Sequence, residues 1–495
     1  MNRDLMLQRL QGGEEWDVIV IGGGATGLGA AVDAASRGYK TVLVEQYDFA
    51  KGTSSRATKL VHGGVRYLAQ GNIKLVMEAL RERGYLLKNA PHLTTALPFV
   101  IPVYSLWEKF YYAIGLKLYD VLSGTLSIGK TRVLSKKQVH EHLPGIEAAK
   151  LTGGILYYDG QFDDARLATE LAKTAVQHGA AVINYCKVTT LLKQDGKVCG
   201  VTALDTISQT PYQIKGKAVI NATGVFTNAI LNMDEPQQQN LVAPSQGVHL
   251  VVDKKFFPGS HALMIPKTDD GRVLFAVPWH DKVVLGTTDT PVEHIEVEPK
   301  PLEEEIAFIL HHANRYLSAT INRSDVRSMF AGLRPLVKQK HAKKTSVLSR
   351  DHTILVSASN MVTVTGGKWT TYRRMAEDAV NHAVAAIGLP QKECVTKTLP
   401  IGKQQQDGEA LVHSAVKLSN ENIRYFVEEE MAITVEDILA RRTRLLFLNA
   451  AEAIVQAQQT ATVMAEILHK DDVWVKEQVE AFTKLAKQYL LTSTK

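Results

Sequence analysis

Asp17 to Ile21 (DVIVI) is a short apolar run rich in β-branched residues, the pattern of a parallel strand buried on both faces. A glycine cluster follows. Ala30 to Arg37 then has helical composition, Gly38 stops that helix, and Thr41 to Glu45 (TVLVE) reads as the next strand. These pieces form a βαβ unit, whose crossover is right-handed. Helical spacing recurs over Lys74 to Asn89, which ends before Pro91, over Phe110 to Leu122, and over Asp164 to Gln177. Strands are predicted near Ala181 to Tyr185 and over Lys217 to Ala222. From Gln246 to Thr288 alternating apolar runs are broken by Gly, Pro and Asp, as in an antiparallel sheet, and Thr353 to Val356 and Met361 to Thr365 read as two closing strands. Beyond Pro400 the pattern becomes amphipathic. Glu421 to Glu430, Val435 to Phe447 and Asp472 to Leu490 are predicted helices, and Thr434-Val-Glu-Asp437 has the form of a capping box.

A chain of 495 residues exceeds what one hydrophobic core supports, so two or three domains are expected. With 45% hydrophobic and 22% charged residues it is an ordinary globular sequence. Its net charge of +6 accommodates an anionic substrate or an anionic lipid surface but does not mark a nucleic-acid binder, and none is predicted. The cysteines, Cys186, Cys199 and Cys394, are far apart and form no CxxC pair, which fits reduced thiols in a cytoplasm-facing compartment. The segment MNRDLMLQRLQGGEEWD has no apolar h-region and reads as neither a signal nor a transit peptide. The longest apolar candidate, Leu93 to Trp107, is broken by Pro98 and Pro102 and falls short of the roughly 18 residues a spanning helix needs, so any membrane contact is expected to be peripheral.

Gly22-Gly23-Gly24-Ala25-Thr26-Gly27 is GxGxxG between a strand and a helix. Its first glycine permits the tight turn, the second lets backbone approach a pyrophosphate, and the third lets helix and strand pack closely. The helix N-terminus faces the negative charge, and Glu45 at the end of the next strand accepts from ribose hydroxyls. FAD is favoured over NAD because the chain returns to this turn. Lys51 to Arg56 forms a polar loop after the second strand, with His62-Gly63-Gly64 just beyond it. Val219 to Gly224 ends a strand against a flat ligand, and Gly366-Gly367 precedes another helix near Thr370.

The blocks SSRATKLVHGGVRYL (54 to 68), AGLRPL (331 to 336), TGGKWTTYR (365 to 373) and TVEDILARRTRLLFL (434 to 448) resemble the FAD-dependent, quinone-linked glycerol-3-phosphate dehydrogenase family. Trp369 stands where members often carry an aliphatic residue. The resemblance implies an α/β fold with a Rossmann-like FAD-binding domain (14–70, 150–240 and 326–395) and an antiparallel-sheet substrate domain like that of D-amino-acid oxidase (71–149 and 241–325). A C-terminal α-helical domain (396–495) completes it. It also implies that Thr53, Ser54, Ser55, Lys59, His62, Gly63, Gly64, Val188, Gly224, Gly366, Gly367 and Lys368 belong to the FAD site beside the fingerprint and Glu45.

The substrate so implied, glycerol 3-phosphate, carries a phosphate dianion and a secondary alcohol. Arg66, Arg334 and Lys368 are the expected cations, with Tyr67 and Thr370 beside them and Arg334 in a rigid loop. His249 and His62 are the candidate proton acceptors. By resemblance His249 takes that role while His62 packs at the flavin ring, and Arg334 stabilises the developing alkoxide. No metal is called for, since flavin takes the hydride. Oxygen-using oxidases of the family carry an insertion this chain lacks, so a membrane quinone is the expected acceptor, with attachment to the inner face of the cell membrane. Trp107 to Leu122 either rests on the bilayer or is an ordinary core or homodimer helix, and Arg441-Arg-Thr-Arg444 is a docking patch, a solvated face or internal pairing. An oxygen-using glycerol-3-phosphate oxidase, an FAD amine or amino-acid oxidase of the same fold, and a non-catalytic flavoprotein are the alternatives. The last would lack the base or the cations.

Overall fold

The computed structural model describes residues 1–69, 71–147, 149–236, 240–338, 351–402 and 418–491, the side chains of Arg66 and Ala69 excepted. Two sheets organise it. The first runs His352–Val356, Val362–Gly366, Pro211–Asn221, Trp16–Ile21, Thr41–Val44, Ala181–Ile183, with a hairpin of Cys186–Gln194 and Lys197–Asp205 added to the outer half of Pro211–Asn221. Trp16–Ile21 pairs in parallel on both sides, and Val18, Ile19 and Val20 are fully buried, as the continuous apolar run predicts. The helices Ala25–Ser36, Asp164–Gln177 and Tyr372–Ala386 pack against this layer with one continuous apolar core.

The second sheet is antiparallel apart from one parallel pairing, Ala262–Ile265 with Thr94–Val103. The long pair Val242–Asp253 and Val326–Val337 sets the geometry of the site. It places Ser245 opposite Arg334 and His249 opposite Phe330. Because side chains alternate along a strand, Arg334, Gly247, His249 and Phe330 project from one face. Two strands that the sequence reading did not identify lie in ranges the resemblance gives to the FAD-binding domain. Gly153–Phe162 and Val326–Val337 pair within the second sheet, not the first. Arg334 correspondingly lies in a strand, not a loop, with Pro335 opposite Pro244.

Several predicted elements fall where the pattern put them. Asp164–Gln177 is a helix capped by the Asp163 carboxylate, which accepts from the Arg166 N–H. Thr434 and Asp437 do form a reciprocal box: the Asp437 N–H donates to Thr434 Oγ1 and the Thr434 N–H to Asp437 Oδ2. The apolar run Leu93 to Trp107 contains the strand Thr94–Val103.

The expected amphipathic helix Val435 to Phe447 is corrected. Asp437–Arg442 is a π-helical turn, Arg444 takes a left-handed conformation (φ 65°), and Leu445–Leu448 resumes as a short helix. The reason is electrostatic. Arg441 and Arg442 are consecutive, yet both reach Asp48, through Arg441 Nε at 2.5 Å and a bidentate Arg442 fork at 2.8 and 2.9 Å. A regular helix turns successive side chains about 100° apart, and the wider turn brings both inward. Arg444 donates to Asp164 and to the Ser55 carbonyl, each at 2.9 Å. The basic run is therefore buried internal pairing, not a solvated or docking face. The cation-rich patch that sequence shows as surface charge joins the helical domain to the nucleotide-binding layer.

The helix Leu106–Ser123 has one buried stripe, Ala113, Leu116 and Tyr119. Its other face is apolar and open, with Trp107 76%, Ile114 69% and Val121 75% exposed. Among the described residues no helix is long and apolar enough to cross a membrane.

Candidate active site

A cavity of about 390 Å³ runs along the glycine fingerprint. Gly22 has φ 110° and a Cβ there would meet the Ala222 carbonyl at 2.8 Å; a Cβ on Gly27 would lie 1.9 Å from the Gly22 carbonyl oxygen. Only glycine permits the turn and the close approach of helix to strand. The helix Ala25–Ser36 begins at Gly24, which carries no capping side chain, so its N-terminus opens on the cavity with Ala25 and Thr26 on the wall. The Ser54 hydroxyl accepts from the Ala25 N–H at 2.9 Å. Glu45 accepts from Gly23 N–H at 2.5 Å and Tyr47 N–H at 2.9 Å, and burial pushes its pKa up. Its carboxylate thus braces the turn from the cavity wall. Thr53, Val188 and Gly224 line the same cavity, and Gly366, Gly367 and Lys368 close its far end.

A second cavity of about 270 Å³ adjoins the first, sharing Thr53, Pro335, Gly367, Lys368 and Trp369. His62, Gly64, Tyr67, His249, Arg334 and Thr370 are on its wall. The Arg334 guanidinium is fixed by Thr287 Oγ1 at 3.1 Å, the Thr288 carbonyl at 2.9 Å and the Gln246 carbonyl at 3.2 Å. It lies flat over Gly247, where a Cβ would come within 2.2 Å of its Nη2. Asp289 sits at 3.4 Å from Nη1. The pocket thus holds a permanent cation in one orientation. His249 is 2% exposed, and burial first, then Lys59 and Arg334, hold its pKa well below the usual imidazole value. It is neutral at physiological pH.

Thr370 serves the site through His62. Its hydroxyl accepts from the His62 N–H at 3.1 Å and donates to the His62 carbonyl at 3.2 Å, while Asp159 accepts from the Gly63 N–H at 3.2 Å. The Lys368 ammonium lies 3.4 Å from the His62 carbonyl. Arg66 belongs to the helix Val65–Ala69, and its side chain is outside the described residues.

Four of the predicted cofactor contacts act from behind the wall. Gly23, Gly27, Gly63 and Ser55 shape turns and line neither cavity. Lys59 is a correction. Its fully buried ammonium donates to the Ser55 carbonyl at 2.8 Å and to Asp164 at 2.7 Å, over the rings of Trp279 and Phe330. Burial and the neighbouring Arg444 pull its pKa down to about 7. Sequence reading missed Thr58, Asp289 and Arg272, all on the smaller cavity. Arg272 follows Asp269-Asp270-Gly271 in what reads as a surface turn. Its guanidinium lies 4.1 Å above the Phe308 ring, with Nε 2.5 Å from Asp270.

A helix N-terminus opening over a glycine turn braced by Glu45, with a second glycine turn closing the far end, fits a dinucleotide stretched between early and late segments. Comparison with known proteins agrees. Residues 17–373 match the family described as FAD dependent oxidoreductase, and residues 361–474 match the C-terminal domain of alpha-glycerophosphate oxidase. The chain belongs to the FAD-dependent oxidoreductases, and FAD is its cofactor. More narrowly, it is a member of the glycerol-3-phosphate dehydrogenase family. It is 40% identical to the human mitochondrial glycerol-3-phosphate dehydrogenase over 98% of this chain and 75% of that protein. A probable mitochondrial glycerol-3-phosphate dehydrogenase of Dictyostelium discoideum is 38% identical over 97% of this chain and 84% of that one. The glycerol-3-phosphate dehydrogenase of Bacillus halodurans, solved with FAD, superposes with a TM-score of 0.80 at 29% identity, covering 100% of this chain and 99% of that one.

Proposed function

We propose that this enzyme oxidises sn-glycerol 3-phosphate to dihydroxyacetone phosphate in the smaller cavity and passes the electrons to a membrane quinone. The observation that carries the substrate reading is the smaller cavity itself: its wall carries two cations, Arg334 and Lys368, and a neutral buried histidine, His249, and Lys368 also lines the adjoining larger cavity. A phosphate dianion needs more than one cation; a single carboxylate, as in an amino-acid substrate, needs one. Arg66, Tyr67 and Arg272 complete the proposed phosphate end. Arg334 stabilises negative charge growing on the C2 oxygen, and His249 is the final proton acceptor. Bound FAD supplies the hydride acceptor. Thr370 fixes the His62 turn, which would pack beside the flavin when FAD is bound, and Trp369 lines both cavities where they meet.

The quinone reading is supported by the open apolar face of Leu106–Ser123, which has the character of a helix lying in a lipid interface with Lys109 and Lys117 at headgroup level. Attachment is peripheral, at the inner face of a membrane that borders a reducing compartment. The acceptor is tested by supplying glycerol 3-phosphate with a short-chain quinone analogue in lipid vesicles, against air alone. Quinone reduction with little hydrogen peroxide is expected. Peroxide formed in proportion to substrate would assign an oxidase instead.

A further inference from the structure

We infer that Thr58 is the proton relay between the substrate hydroxyl and His249, an inference that rests on the substrate reading above. His249 offers two ring nitrogens. Nδ1 is sealed from solvent and has no hydrogen-bond partner among the described residues. Nε2 lies 2.9 Å from the Thr58 hydroxyl oxygen. The rest of the ring is walled in: Phe330 stacks on it with centroids 4.8 Å apart, and Cδ2 backs onto Gly286, where a Cβ would stand only 2.5 Å away. Thr58, by contrast, is half-buried and lies on the cavity wall. His249 itself reaches the cavity wall with only 2% of its surface exposed, and its Nε2, the nitrogen a substrate alcohol would address, is already engaged by the Thr58 hydroxyl, so the alcohol meets that hydroxyl first.

Thr58 is also held in place from both sides by one buried carboxylate. The Ala57 N–H donates to Asp164 Oδ2 at 3.0 Å, and the Lys59 ammonium donates to the same oxygen at 2.7 Å. Arg444 holds the other oxygen of Asp164 at 2.9 Å. Lys59 adopts φ 64°, a left-handed conformation uncommon for a residue with a side chain, and these bonds maintain it. Three charged groups with no cavity contact thus fix one uncharged hydroxyl beside the histidine. Such rigidity is what a relay requires, since proton transfer falls off steeply with misplacement.

The step balances as follows. Nδ1 carries the ring proton, and the Thr58 hydroxyl donates to Nε2 while accepting from the substrate hydroxyl. As the C2–H bond breaks and its electron pair leaves as hydride for the bound flavin, the substrate proton passes to Thr58 Oγ1. The threonine proton passes to Nε2, and the C2–O bond becomes a carbonyl. Thr58 ends neutral and His249 ends as imidazolium, its charge offset by the phosphate dianion in the same cavity.

The test is anaerobic stopped-flow reduction of the intact flavoprotein by glycerol 3-phosphate. Wild-type bleaching of flavin absorbance establishes the substrate; its absence would overturn the substrate reading and this inference with it. Thr58→Val, which keeps the shape and removes the hydroxyl, should slow reduction about 10²-fold or more, the scale of positioned proton transfer, with KM changed less than about threefold. Thr58→Ser should stay within about tenfold of wild type, less than the loss of the hydroxyl itself. Equal rates for wild type and Thr58→Val would overturn the relay. Should the valine variant lose its flavin, the wild type still decides: in mixtures of light and heavy water two protons in flight give a bowed dependence of rate on deuterium fraction, whereas a straight line means one proton and no relay.

Discussion

The proposed chemistry turns on Arg334. Its guanidinium is immobilised by two carbonyls and a hydroxyl and lies over a glycine that leaves it room. A preorganised donor of this kind costs no reorganisation when charge develops on the substrate oxygen. Arg334→Ala should lower kcat/KM for glycerol 3-phosphate by about 10²–10³-fold while flavin content is retained, read with a soluble artificial electron acceptor. Near-normal kcat/KM would remove Arg334 from its role. The sequence carried this residue, Lys368, Tyr67 and His62 inside motifs, so their gathering was foreseeable. Asp289 and Arg272 were not, because each is an ordinary polar residue of a turn or loop until the fold brings it to the cavity, and Thr58, though inside the 54–68 block, carried no sign of its contact with His249. Lys59 was assigned to the cofactor for the opposite reason: motif membership was visible, and the aromatic box that buries it was not.

Among the elements, those whose local signals agree were legible, the strand and Asp164–Gln177 to within a residue, while the helix after the glycine turn begins at Ala25, five residues before the expected Ala30. The strand Trp16–Ile21, the glycine turn and its helix, and Asp164–Gln177 all followed from apolar spacing and capping. The Asp437–Arg442 turn was not legible. Its three nearby arginines resemble a surface face, and only their distant partners Asp48 and Asp164 reveal a buried joint. Gly153–Phe162 and Val326–Val337 show the same limit, since nothing local to either stretch names the strand it pairs with. The helix Leu106–Ser123 lies between these cases. Its amphipathic spacing was plain, and the structure adds that the apolar face is open. Changing Trp107, Ile114 and Val121 together to Ser should weaken co-sedimentation with anionic phospholipid vesicles at least tenfold, given about 1.5–3 kcal/mol for each large apolar side chain buried. Activity with a soluble acceptor should be unchanged. Undiminished vesicle binding would return this face to some other partner.

At the scale of the whole molecule, the helical domain and the cofactor loop are held together by buried charge. Glu298, from the second sheet's side, pairs with Arg56 at 2.6 Å and Lys51 at 3.0 Å and accepts from the Tyr489 hydroxyl at 3.0 Å. Burial alone would raise its pKa, but Arg56 and Lys51 outweigh burial and bring it down to about 2. A carboxyl depressed on folding contributes stability that is complete above its unfolded value near 4.5 and is lost as pH falls through about 2. Glu298→Gln should therefore unfold at lower temperature than wild type at neutral pH, by the equivalent of about 3–5 kcal/mol for a broken buried pair, and the two melting curves should converge as pH falls through that window. A constant gap across the window would contradict the pairing.

The proposed function assigns flavin to one cavity and a phosphorylated three-carbon alcohol to the one beside it. It is tested most directly by titrating the purified protein with glycerol 3-phosphate under anaerobic conditions while following the absorbance of oxidised flavin. The predicted result is stoichiometric bleaching with one dihydroxyacetone phosphate formed per flavin, and no bleaching by glycine or proline. A protein that binds flavin but keeps its colour in the presence of glycerol 3-phosphate would contradict it.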